Sequence, residues 1–245
     1  MSVGSAVSEA TLGAVEWAPG LCLRGERPRL ADYRFAAFDM DSTLIAIECI
    51  DEIAALAGRG EQVAAITEAA MRGEISDFRE SLARRLALLA GQPLSLLDRV
   101  LRERLRFNPG AHELCAALKA AGLKLGLVSG GFTHFTRHVA AELGMDFVRA
   151  NELEVRDGHL TGQVCMQAWG DVVDGEQKRR FLLEHCALLG IEPAQAMAVG
   201  DGANDLPMMG AAGLSVAYCA KPRVRDAARV SINQGGLQRL LDVLL

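Results

Sequence analysis

With 245 residues, 50% of them hydrophobic, the chain is long enough to bury a sizeable core and suits one α/β domain with an insertion better than several independent units. A formal net charge of −5 gives no broad basic field, which argues against nucleic acid or an anionic membrane surface as a partner. Six cysteines without a Cys-x-x-Cys pair read as reduced thiols of a cytoplasmic protein rather than a zinc site, and no stretch approaches the roughly 20 apolar residues of a membrane span.

Residues 1–32 are rich in Ser, Gly and Ala, lack the basic start and apolar run of a secretion signal, and read as an N-terminal extension with room for one weak strand. A core then begins with the apolar run 34–39 in "YRFAAFDMD". Residues 48–107 form an insertion too long for a simple crossover. Its apolar stripes, Ile50, Ile53 and Ala57, then Phe78, Leu82, Leu86 and Leu89, predict a small all-helical cap. The core resumes at 108. "PGAHELCAALKAAG" has a helix start at Pro109 and a stop at Gly122, and 124–129 is the next strand. "EVRDGHLTGQV" carries an Asp-Gly turn between alternating residues and predicts a hairpin. Asp174 followed by Gln177 predicts a capped helix running to Gly190, and strands follow at 196–200 and 214–220. Strands alternating with helices predict a parallel sheet with crossover helices, built from 33–47 and 108–245.

Ligands of such sheets bind outside the carboxyl ends of the strands. There the three core strands end in Asp39-Met40-Asp41, in Ser129-Gly130-Gly131, and in "GDGAND" with Asp201, Asn204 and Asp205, while Lys178 lies near the start of the helix feeding the third. Hard oxygen ligands beside a lysine and glycine amides describe a Mg²⁺-dependent phosphoryl site. Two like unit charges about 4 Å apart repel by about 4 kcal/mol at an effective dielectric near 20, so a carboxylate reaches a phosphate only with cations present. Asp39 is then the nucleophile, and Asp41, two residues on along a strand and so on the same face, the acid and base. Ser129 and the Gly130 and Gly131 amides are placed for the phosphate oxygens. Asp205, directly before Leu-Pro, serves equally as a helix cap, and Asn204 as a turn residue.

"DMDST", "SGG", the lysine and "GDGANDLPM" together resemble the haloacid dehalogenase superfamily from about Tyr33 to the end, and "DMDSTLIAIECIDEIA", "FRESLARR" and "LVSGGF" resemble its phosphoserine phosphatase family. The resemblance implies a Rossmann-like core with a helical cap, Mg²⁺, and hydrolysis of O-phosphoserine through an aspartyl-phosphate, the last step of serine biosynthesis. It further implies that Asp39, Asp201 and the Asp41 carbonyl hold the metal, with Asp205 supporting them, that Ser129, Lys178 and Asn204 meet the phosphate, and that Glu48 takes the substrate ammonium and Arg85 its carboxylate between apolar walls at Met71 and Phe78.

Spacing speaks separately for Arg85, which stands seven residues after Phe78 on a stripe where an apolar residue is expected, and a guanidinium there wants an anion. Met71 and Phe78 are equally ordinary core residues. His134 and His138, four apart on a helix with no third ligand, read as surface residues. Three alternatives stay open: transfer to an alcohol such as homoserine, hydrolysis of another small phosphoamine, and a receiver-type phospho-acceptor domain. Whether the chain is a monomer or a homodimer is not fixed by its sequence.

Overall fold

The computed structural model describes residues 13–245 other than 73, 76 and 171, and only the backbone of Met71. Two short strands, β1 (Val15–Ala18) and β2 (Leu21–Leu23), precede β3 (Phe35–Phe38), whose four apolar residues are all buried. Four helices then intervene: α1 (Cys49–Leu56), α2 (Gly60–Met71), α3 (Phe78–Ala87) and α4 (Ser95–Glu103). The chain continues through α5 (Ala111–Ala120), β4 (Lys124–Phe132), α6 (Thr133–Leu143) and β5 (Phe147–Asn151) to a hairpin of β6 (Leu153–Arg156) and β7 (His159–Val164). It closes with α7 (Gly175–Leu189), β8 (Ala196–Gly200), α8 (Leu206–Ala211), β9 (Leu214–Tyr218), α9 (Pro222–Ala227), β10 (Val230–Ile232) and α10 (Leu240–Val243).

The strands order as β1-β2-β10-β9-β8-β3-β4-β5, parallel from β10 to β5. Central parallel strands are covered on both faces, which is why β3 reads as an unbroken apolar run rather than an alternating one. Ala36 and Phe38 pack into the core on one side of the sheet, Phe35 and Ala37 into the core on the other. The order in which strands are added reverses at β3, which leads on to β4 and β5 on one side and has the later strand β8, parallel to it, on the other. This switch point leaves an open crevice at the strand ends.

The N-terminal stretch, expected from the sequence to be an extension ahead of the domain with room for one weak strand, holds two. Residues 1–12 lie outside the described residues, but β1 and β2 belong to the main sheet, with β2 antiparallel to β10 through Val230↔Leu23 and Ile232↔Leu21. The hairpin forms a separate two-stranded sheet turning at Asp157-Gly158, both at positive φ. It is bound to the inserted helices by backbone hydrogen bonds from Gly91 N to Leu160 O and from Leu94 N to Gly158 O.

Candidate active site

β3, β4 and β8 deliver their C-terminal residues to one crevice, and the inserted helices close over it. The resulting cavity of 1020 Å³ is lined by Asp39, Asp41, Ser129, Gly130, Gly131, Asp201 and Asn204 from the core, facing Glu48, Phe78 and Arg85 from the insert. Of the residues expected there, Lys178 and Asp205 sit behind the wall, fully buried. The side chain of Met71 lies outside the described residues.

Lys178, one turn into α7, places Nζ 2.7 Å from Asp39 Oδ1 and 2.7 Å from Asp205 Oδ1. It is therefore withdrawn from solvent, unlike the exposed Arg179 and Arg180 that follow it. Burial opposes its charge, but the carboxylates of Asp205 and Asp39 outweigh it and hold its pKa above the ordinary lysine value. Asp205 uses its second oxygen to accept the amides of Asp201 and Gly202, at 3.1 and 3.0 Å, and so braces the loop instead of capping α8. Asp39 meets burial first and then the charge of Asp205, which together raise its carboxyl well above the usual range against the pull of Lys178.

Asp39, Asp201 and Asp205 each bring a carboxylate oxygen within 4.8 Å of the others. With Lys178 as the ammonium among them, the ionised group carries a net charge of about −2 in a mostly buried place, and such a cluster needs a cation. Burial, then the charges of Asp205 and Glu48, push Asp201 up to about 6, the shift expected of a carboxylate withdrawn from water among like charges. The donor set, hard oxygens alone, fits a hard divalent metal.

Asp41 is pushed up to about 7, by burial first and then by the charge of Glu48. Its Oδ1 accepts the Cys49 amide at 3.1 Å, at the first turn of α1, and a Cβ on Gly131 would come within 2.5 Å of its Oδ2. Glycine at 131 is thus what lets the carboxylate approach the β4 loop. Met40 between the two acids is buried in the core. Ser129 accepts the Gly131 amide through Oγ at 2.8 Å, which fixes the hydroxyl oxygen while leaving its proton to donate. Phe78 covers this loop, since a Cβ on Gly130 would lie 3.0 Å from its ring. Glu48 holds the N-cap position of α1 and accepts the Ser42 hydroxyl at 2.6 Å.

Several residues escaped the sequence reading. Asn108 donates to the carbonyls of Ser42, Thr43 and Ile45, at 3.2, 2.8 and 3.1 Å, and so holds the loop after Asp41 in a shape that puts Ser42 at φ +57°. Thr43 donates to Asp201 at 3.1 Å. The buried Asn151 donates to Gly130 O at 2.7 Å and accepts Val173 N at 2.8 Å. Arg79 on α3 pairs with Asp174 at 3.0 Å, joining the insert to the N-cap of α7. A lone Asn or Thr beside a turn carries no sequence mark of a partner many residues away.

Residues 36–210 match the model of the haloacid dehalogenase-like hydrolases. The chain belongs to that family. Within the haloacid dehalogenase-like hydrolases it is 62% identical to a phosphoserine phosphatase of Polaromonas sp. strain JS666, over 94% of this chain and 98% of the relative. A phosphoserine phosphatase of Albidiferax ferrireducens strain T118 is 61% identical over 92% of this chain and 96% of its own. Among solved structures, a phospho-aspartyl intermediate analogue of phosphoserine phosphatase superposes with a TM-score of 0.80 at 38% identity, covering 87% of this chain and 99% of that one.

Proposed function

We propose that this chain hydrolyses O-phospho-L-serine to L-serine and inorganic phosphate through an aspartyl-phosphate on Asp39. The observation that carries this reading is one cavity lined by Asp39, whose Oδ1 lies 2.7 Å from Lys178 Nζ, and also by Glu48 and Arg85. A phosphoryl-transfer group and a pair of opposite charges suited to an amino-acid zwitterion then act on one molecule. The two relatives above 60% identity, both phosphoserine phosphatases, support the same substrate.

Mg²⁺ is the metal of this reading, held by Asp39, Asp201 and the Asp41 carbonyl, and when bound it offsets the repulsion between carboxylate and phosphate. Lys178 orients Asp39 by holding Oδ1. Asp39 attacks phosphorus, the bond from phosphorus to the seryl oxygen breaks, and Asp41 gives its proton to that oxygen. Asp41 then takes a proton from the attacking water, whose oxygen joins phosphorus as the acyl phosphate opens and Asp39 is restored. The Ser129 hydroxyl, the Gly130 and Gly131 amides and Asn204 bind the phosphate oxygens. Phe78 is an apolar wall, and Asp205 anchors Lys178 and the loop of Asp201. The insert 48–107 is the cap that keeps water out until transfer is complete. The setting is cytoplasmic, where the six free cysteines stay reduced.

Phosphate release from a panel of phosphorylated amino acids, amines and sugars, with Mg²⁺ and then with chelator, tests the reading. Phosphoserine is expected to lead the panel, with activity lost to chelator and restored by Mg²⁺. Equal rates on phosphoserine and a phosphoamine without a carboxylate would contradict the role of Arg85.

A further inference from the structure

Asp51 stands in the first turn of α1, three residues after Glu48, and lines the same cavity. An acid there has ordinary explanations: it complements the helix dipole in water, or it bends back to the N-cap amide as half of a capping box. At Asp51 the second is not made, and the first leaves one of its oxygens unexplained. Its Oδ1 is buried and has no hydrogen-bond partner among the described residues, an expensive state for an acceptor withdrawn from water.

Arg85 lines the same cavity from α3. The guanidinium donates Nε to the Ser81 carbonyl at 3.3 Å and makes no other hydrogen bond among the described residues. Burial weakens the charged form of both side chains. Of the anions acting on Arg85, Asp51 is the strongest, ahead of Glu48 and Asp41, and Arg85 is the cation acting on Asp51. An acceptor without a donor and a fork with unspent donors thus line one cavity, near enough for their charges to act on each other but beyond ion-pair distance.

We propose that Asp51 is a positioning residue for Arg85, pairing with one edge of the guanidinium so that the other edge is presented to the substrate carboxylate. This rests on the reading of the site as a phosphoserine phosphatase. A bidentate guanidinium works only when its plane is fixed, and the Ser81 contact alone leaves that plane free to swing about one hydrogen bond. Asp51 therefore serves the carboxylate end of the substrate, and Glu48 the ammonium end.

The test is steady-state kinetics of the Mg²⁺-loaded full chain with Asp51→Asn, Asp51→Glu, Arg85→Ala and the Asp51→Asn/Arg85→Ala pair. Asp51→Asn is expected to raise KM for phosphoserine roughly tenfold, as when one partner of a part-buried charge pair is removed, with kcat within about twofold. KM for O-phosphoethanolamine, which has no carboxylate, should stay unchanged, Asp51→Glu should recover part of the loss, and Asp51→Asn should add nothing once Arg85 is alanine. An unchanged phosphoserine KM, an equal rise for both substrates, a loss confined to kcat or to thermal stability, or a full effect in the Arg85→Ala background would each overturn the proposal. A wild type that does not prefer phosphoserine to O-phosphoethanolamine would overturn the reading of the site, and this proposal with it, before any variant is made.

Discussion

Asp39 and Asp41 lie two residues apart, yet their surroundings fit them for different tasks. Asp39 is fixed by an ammonium 2.7 Å away, whereas Asp41 accepts a backbone amide and faces the charge of Glu48. A carboxyl pushed up to about 7 keeps its proton to near neutrality, as a proton donor must, and loses it just above, as a base must. Asp41→Asn is therefore expected to slow both formation and hydrolysis of the aspartyl-phosphate, by roughly 10²- to 10⁴-fold, in rapid-quench single turnovers. In the wild type, the formation step should weaken as pH rises through about 7, where the acid ionises. These acids were legible because they end an apolar run beside glycine-rich turns. Asn108, Asn151 and Thr43 were not, because each acts through partners at least 21 residues away.

At the scale of elements, the long strands, the hairpin and the helices with caps could be read from local pattern. The β1–β2 pair could not, since strands of 4 and 3 residues are too short for alternation to register and β10, which ties β2 to the sheet, lies some 200 residues on. Register there is set by the completed sheet. Helix α7 illustrates the opposite case. Asp174 accepts the Gln177 amide at 2.9 Å, as its sequence position implied, and it also receives Arg79 from α3. Asp174→Ala removes both, and loss of the cap alone costs about 1 kcal/mol. The thermal midpoint and kcat should both fall, because the first turn of α7 carries Lys178. Asp174→Asn keeps the cap oxygen but not the charge, so it should restore most of the stability and leave the cap less firmly closed, seen as a raised KM.

For the whole molecule, the sheet collects anionic groups faster than it supplies cations, and stability follows. Asp41 and Asp201, at about 7 and about 6 when folded, bind protons that their unfolded forms, near 3.8, have already lost. Between those values the folded state holds more protons, so the contribution of these groups to stability declines as pH rises and levels off above about 7. A divalent ion competes with those protons, and the rise in thermal midpoint on adding Mg²⁺ should be larger at pH near 8 than near 5. A rise independent of pH would place the ion away from these acids. The most direct test of the whole account is mass spectrometry of enzyme quenched during turnover of phosphoserine. A phosphoryl group is predicted on Asp39 and absent after Asp39→Asn, whereas an adduct on any other residue, or sustained turnover by Asp39→Asn, would contradict it.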